Sequence, residues 1–224
     1  MVDVNAQIAA VQRAVRSDER DGAQTRVQTL TQTYPSPIDD VWDAVTSAER
    51  IPRWFLPVSG DLRLGGRYQL EGNAGGEVLA CDPPSGDEAR YRVTWEFGGG
   101  MSWLEVALRS TGEESTRVEL IHTARVADLP PGFWDIYGPG ATGVGWDGGL
   151  LGLALHLAGS TDLPPEAAEA WAFTDEGRAF YRASADGWAA AQIADGAEPA
   201  VAHAAADATF GFYTGETPVE MLEP

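Results

Sequence analysis

From Asp61 to Val126 the chain alternates apolar and polar residues with a period of two, the signature of strands with one dry and one wet face. Tyr68 and Leu70 alternate with Arg67, Gln69 and Glu71, and a short strand follows at 77–81. Tyr91, Val93, Trp95 and Phe97 alternate with Arg92, Thr94 and Glu96; Leu104, Val106 and Leu108 alternate with Glu105, Ala107 and Arg109. Val118, Leu120, His122, Ala124 and Val126 complete the series. Short spacers, among them the turn at 82–86, make these runs an antiparallel meander.

The flanks carry a different period. Val4, Ile8, Val11 and Val15 behind Asp3 predict an amphipathic helix over 3–17, and 17–23 reads as a turn or linker. The Thr- and Val-rich stretch 24–34 predicts a strand. Ser36 as cap, Pro37 at the first helical position and Asp39 and Asp40 near the positive end announce a helix. Ile38, Val41, Trp42 and Val45 give that helix one apolar face, and 51–55 predicts a second short helix ending near Pro57. A loop over 128–141 leads to a helix over 142–157, with Trp146, Leu150, Leu153 and Leu157 on one stripe. Residues 160–224 are Ala-rich and helical in tone, anchored by Trp171, Phe173, Phe180, Tyr181, Trp188 and Ile193. The expected organisation is an N-terminal helix and linker over 1–23, a core domain over 24–159 and an acidic helical extension over 160–224.

Composition narrows the function classes. The chain has 224 residues, 44% of them hydrophobic, which is ample for a packed core. Its formal charge is -19, and all 15 basic residues are arginine. Such a surface repels phosphate backbones and anionic headgroups, so nucleic acid and membrane surfaces are poor partners. Lysine-free, Ala/Gly/Arg-rich usage points to a GC-rich bacterial genome. Cys81 is alone, which suits a reducing compartment. Residues 1–26 lack a signal-peptide core, and the apolar stretch 148–159 is too short to span a bilayer; a cytoplasmic protein is expected.

Tyr34-Pro35-Ser36-Pro37-Ile38 through Val41-Trp42, Arg53-Trp54-Phe55, Asp61 through Tyr68, Trp95-Glu96 and Gly145-Trp146-Asp147 resemble the SRPBCC (START-like) superfamily. Within it, the polyketide cyclase-like branch named for the activator of heat-shock-protein-90 ATPase homologue is the nearest in look. The resemblance covers about residues 26–158. It implies an α+β helix-grip fold, in which a curved antiparallel sheet wraps a long C-terminal helix and leaves a cavity between them, and it implies no cofactor. The helical C-terminal extension lies outside that pattern.

Few residues carry chemistry. His122 falls on the dry face of its strand, where an imidazole either contacts a ligand, acts as general base, or serves as a hydrogen-bonded core residue. Tyr91, Val93 and Trp95 on the sheet, Trp146 and Leu150 on the helix and Phe55 near the cavity mouth are the expected ligand-binding set, with core packing as the bland reading. Glu96 and Glu105 point to solvent by parity. Residues 138–143 spell G-x-G-x-x-G, but Asp162 sits in a loop and no βαβ unit surrounds the motif, so it is a decoy whose glycines let the helix approach the sheet. His156 and His203 have no neighbour at metal-ligand spacing.

Three functions fit. The first is a binding module that holds a small apolar molecule, oriented by His122 or a tryptophan N–H. The second is a cyclase or dehydratase with His122 as base. The third is a chaperone-regulator-like module that docks a protein partner, or a second copy, through an exposed Trp171, Phe173 or Phe180.

Overall fold

A computed structural model of the chain describes residues 3–159 and 170–216; Asp162 lies outside the described residues. Eight strands form one antiparallel sheet in the order β1-β2-β8-β7-β6-β5-β4-β3. They are β1 (Gln12–Arg20), β2 (Ala23–Tyr34), β3 (Val58–Gly60), β4 (Arg67–Leu70), β5 (Gly75–Ser85), β6 (Glu88–Phe97), β7 (Gly100–Gly112) and β8 (Ser115–Arg125). Among the described residues six α-helices accompany them: α1 (Val4–Ala10), α2 (Ile38–Thr46), α3 (Phe133–Tyr137), α4 (Gly140–Leu157), α5 (Asp175–Ala194) and α6 (Pro199–Tyr213). The sheet curves around α4, and the α+β helix-grip architecture is the observed one.

The meander follows the alternation. Tyr91, Val93 and Trp95 share the concave face with Leu104, Val106, Leu120 and His122, because the register pairs Val93 with Leu104 and Leu104 with His122. On the convex face Glu96 pairs with Arg67 at 2.7 Å. Strand β5 runs through Pro83 and Pro84, where a turn is expected; the register shift between Asp82 and Ser85 is a bulge that needs no ladder N–H from proline.

At the N-terminus the expected helix over 3–17 is only half right. Asp3 caps α1 by accepting from the Asn5 and Ala6 N–H groups at 3.0 and 3.1 Å, but α1 stops at Ala10. Gln12–Arg20 is instead an edge strand paired with β2. Asp21 and Gly22, both at positive φ, close that hairpin inside the stretch read as a turn or linker. The loop expected over 128–141 contains α3.

Helix α4 packs against the sheet and against α1, α3, α5 and α6, which is why it is apolar on more than one stripe. Trp146, Leu150 and Leu153 face the sheet, whereas Val144 and Leu151 are buried toward other helices. The glycines of the decoy motif serve the C-terminal helices and not the sheet. A Cβ on Gly143 would lie 2.2 Å from the Trp188 ring, and one on Gly140 3.0 Å from Thr209.

One buried ion pair joins the three parts of the chain. Arg13 of β1 grips Asp147 of α4 with two bonds, Nε to Oδ2 at 3.0 Å and Nη2 to Oδ1 at 2.9 Å. Ser184 and Trp188 of α5 donate to the same carboxylate. Burial raises the Asp147 pKa, opposed by the Arg13 charge; all its partners are donors, so the network requires the carboxylate ionised. Gly187 leaves room for the guanidinium, since a Cβ there would lie 2.8 Å from Arg13.

Removing one partner strands the other charge without its counter-ion. Arg13→Met is expected to cost about 3–5 kcal/mol, read from urea unfolding midpoints. A loss below about 1 kcal/mol would show that the hydroxyl and indole donors alone hold Asp147.

Candidate functional site

Between the concave face and α4 lies a hollow of about 100 Å³. Tyr91, Val93 and Trp95 of β6 form one wall with Leu104 and Val106 of β7 and Leu120 of β8. Trp146, Gly149, Leu150 and Leu153 of α4 form the other. The segment after α2 supplies the rim through Trp54, Phe55, Val58 and Leu62, all half-buried. No side chain of the wall is a carboxylate, a guanidinium or an imidazole.

Aromatic rings organise this space. Trp95 meets Trp146 edge to face at 4.9 Å between centroids, and Phe55 stacks on Trp146 at 6.5 Å with planes 23° apart. Trp54 anchors the rim by donating from Nε1 to the Ala44 carbonyl at 2.9 Å. Its backbone carbonyl lies so near α4 that a Cβ on Gly152 would approach it to 2.2 Å. The rim is therefore clamped to the helix at Gly152, one turn beyond the cavity-lining Gly149. Two tyrosines differ in use: Tyr68 spends its hydroxyl on the Thr94 carbonyl at 2.7 Å, while Tyr91 makes no such bond.

The structure brings six of the expected ligand-binding residues around one hollow: Phe55, Tyr91, Val93, Trp95, Trp146 and Leu150. His122 is not in it. The imidazole packs against the Trp146 ring at 5.5 Å, wholly buried in a polar cluster. Gln28 donates from its Nε2 to the Pro139 carbonyl, which can only accept, and this fixes the amide orientation. Gln28 Oε1 then accepts from Thr142 at 2.7 Å and faces His122 Nδ1 at 3.4 Å, so Nδ1 carries the proton. His122 Nε2 accepts from the Ser102 hydroxyl at 2.8 Å. Both ring nitrogens are engaged by protein, and desolvation pushes the His122 pKa down to about 4. Burial and these contacts favour the neutral imidazole.

Sequence reasoning missed Leu104, Val106, Leu120 and Gly149 as wall residues. The three strand positions share the parity of Val93 and Trp95 and were open to the same argument. Gly149 has no periodic signal. Among the described residues, no three His, Cys, Asp or Glu side chains gather as a metal site, and no helix is long and apolar enough to cross a membrane. Cys81 is half-buried on β5, its thiol pKa raised by burial and then by the neighbouring Asp82.

In the extension, Phe180 is fully buried and Trp171 partly so, both packed with Ile8 of α1 and Leu151 of α4. Phe173 alone of the three expected docking residues is exposed, at 65%.

A family model described as activator of Hsp90 ATPase homolog 1-like protein matches residues 35–146, half of the chain. The chain belongs to this family. The family match ends inside α4, at the residue before Asp147. Among solved structures, the crystal structure of CalU16 from Micromonospora echinospora is 31% identical, with a TM-score of 0.60, covering 81% of this chain and 98% of that one. The solution structure of CalU16 gives 30% identity, a TM-score of 0.65 and coverage of 83% and 97%. A conserved protein of unknown function, EF2215 from Enterococcus faecalis, shares the fold at 14% identity and a TM-score of 0.54, over 80% of this chain and 91% of that one. No curated protein matches. The CalU16 likeness reaches beyond the half covered by the family model, into the segments that flank it.

A pH dependence follows from His122. Its folded pKa of about 4 lies below the ordinary value of 6.5, so between these values the unfolded chain binds a proton that the folded one excludes. Its contribution holds above pH 6.5 and is lost as pH falls toward 4, on the order of 3 kcal/mol in all. His122→Gln should unfold along a flatter stability-versus-pH curve over that window, measured by urea titration at pH 7 and 4.5. Identical slopes for the two proteins would mean that His122 titrates normally.

Proposed function

We propose that this member of the family encloses a small apolar or amphipathic molecule between the concave sheet and α4, and that the C-terminal helices brace the helix side of the container. The observation that carries this reading is the aromatic-lined hollow, left open where a helix would ordinarily place a side chain. Gly149 faces Phe55, whose nearest ring carbons would lie 3.7 Å from a Cβ at that position. A mid-helix glycine costs about 1 kcal/mol relative to alanine, and here its absent side chain is cavity space. Burial of apolar surface at about 25 cal/mol per Å² supplies micromolar binding without a catalytic group.

His122 has no free nitrogen to present to a guest, so the geometry favours binding over base catalysis. The burial of Phe180 and Trp171 likewise favours a bracing role for the extension over a docking one.

Two tests bear on this reading. Native mass spectrometry of freshly purified protein is expected to show a small molecule that leaves on denaturation. Independently, the neutral dye Nile red should gain fluorescence with the wild type, and Gly149→Leu should weaken that uptake more than tenfold while its melting temperature holds or rises. Gly148→Ala is the control: a Cβ there meets nothing within 4 Å, so it should stabilise by about 0.5–1 kcal/mol and leave uptake unchanged. Equal dye uptake by wild type and Gly149→Leu would place the dye elsewhere and remove the cavity from the function.

A further inference from the structure

Among the described residues, every side chain lining the hollow is aliphatic, aromatic or that of glycine. The polar atoms of this lining are neutral dipoles. The Trp54 N–H and the Tyr68 hydroxyl are spent on the Ala44 and Thr94 carbonyls, which leaves the Tyr91 hydroxyl and the Trp95 and Trp146 N–H groups. Burial raises the pKa of both phenols, that of Tyr91 to about 12, so neither supplies a negative charge near neutrality. His122, which touches the Trp146 ring, is spoken for by Ser102 and Gln28. The charged residues beside the lining are committed elsewhere. Asp147 is bound by Arg13, Ser184 and Trp188. On the convex face Glu96 pairs with Arg67 at 2.7 Å, and Arg92 stands opposite Glu105 in the ladder. At the rim Arg50 is held by Asp40 and Asp43 and Arg63 by Asp61, while Arg53 is exposed and outside the lining.

We propose that the guest is an uncharged molecule, and that the wall separates it from anions and cations of the same shape. This rests on the reading that the cavity takes a ligand, and narrows the class of that ligand. An amphipathic guest brings an ether, ester, ketone or hydroxyl as its polar part, and not a carboxylate, sulfonate, phosphate or ammonium. The reason is desolvation. An ion entering the hollow exchanges its hydration for rings and methyl groups, and the wall holds no opposite charge to offset the loss. Neutral dipoles such as the Tyr91 hydroxyl satisfy a ketone or an ester but do not replace the water around a full charge. The chain as a whole adds a second discrimination. Its formal charge of -19 opposes an approaching anion and attracts a cation, so the anion is refused by field and wall and the cation by the wall alone. Salt separates these contributions, because it screens the field of surface charges and leaves the desolvation inside the hollow unchanged.

The test uses two dyes that differ by one group, N-phenyl-1-naphthylamine and its sulfonate, 8-anilinonaphthalene-1-sulfonate. Both gain fluorescence on leaving water. The neutral dye should bind the wild type, and Gly149→Leu should weaken it at least about tenfold, which ties the signal to the hollow. The sulfonate should bind roughly a hundredfold more weakly than the neutral dye, in high salt as in low. In competition, 1-ethylnaphthalene should displace the neutral dye, and the cation of the same shape, 1-naphthylmethylammonium, should not. Val106→Lys, which puts an ammonium on a half-buried part of the lining, should narrow the gap between the two dyes. If the sulfonate competes for the site as tightly as the neutral dye, if the gap closes in high salt, or if the ammonium displaces the dye as well as the hydrocarbon does, the proposal is overturned and the cavity reading stands. If the neutral dye does not bind, or binds wild type and Gly149→Leu alike, the cavity reading falls and the proposal with it. Should Val106→Lys not fold, the dyes and the two naphthalenes on the wild type decide between the same outcomes.

Discussion

The Asp147 carboxylate is the constraint on which the rest of this molecule depends. A buried charge must be matched or the chain does not fold around it, and here the matching groups come from two stretches of sequence far from it and from each other: Arg13 on β1, and Ser184 and Trp188 on α5. Satisfying Asp147 therefore forces β1 and α5 onto α4 in one geometry. Hydrophobic contact alone would tolerate sliding of these Ala-rich helices. Four directional bonds to one carboxylate do not. The consequence is positional, because Trp146 and Asp147 are neighbours turned about 100° apart around α4: one borders the hollow and the other meets β1 and α5.

The glycines of α4 make sense against that brace. Six of its eighteen residues are glycine, a composition that would not hold a helix in water. Gly140 and Gly143 let Thr209 and Trp188 come close, Gly152 admits the Trp54 carbonyl, and Gly149 keeps space before Phe55. Tertiary packing has replaced intrinsic propensity as the source of helicity, and the backbone is further pinned by the Leu150 carbonyl accepting from Tyr34 at 3.0 Å and Gln7 at 3.3 Å. A helix held so firmly from behind need not be supported from the cavity side. That is how a hollow survives in an interior that would otherwise close up.

Much of this was legible in the sequence, and what was not has physical reasons. Strand parity placed Tyr91, Val93 and Trp95 on the face that lines the cavity. Parity also put His122 on that face correctly, but it says nothing about position along the strand, and His122 sits beyond the hollow in contact with Ser102 and Gln28. The N-terminal error came from spacing. Val11 and Val15 are four apart, which is one face of a helix and equally one face of a strand. Arg13 between them belongs to the same strand face, a charge on the dry side that only Asp147 explains. The Asp21-Gly22 pair was the overlooked local signal for a hairpin. Trp103 breaks parity in the other direction: it lies on the convex face yet is buried, covered by Arg20 at 3.9 Å and Arg125 at 4.8 Å.

The boundary of the family match carries the last step. It ends at Trp146, the residue that faces the cavity, and excludes Asp147, the residue that faces the brace. The match takes in the sheet side of the hollow and Trp146, whereas Gly149, Leu150 and Leu153 of the helix side lie beyond it, together with β1 and the C-terminal helix that meet Asp147. Coverage of 81% against the CalU16 crystal structure means that the likeness extends past residues 35–146. A wall whose own helix is one-third glycine depends on those additions for rigidity.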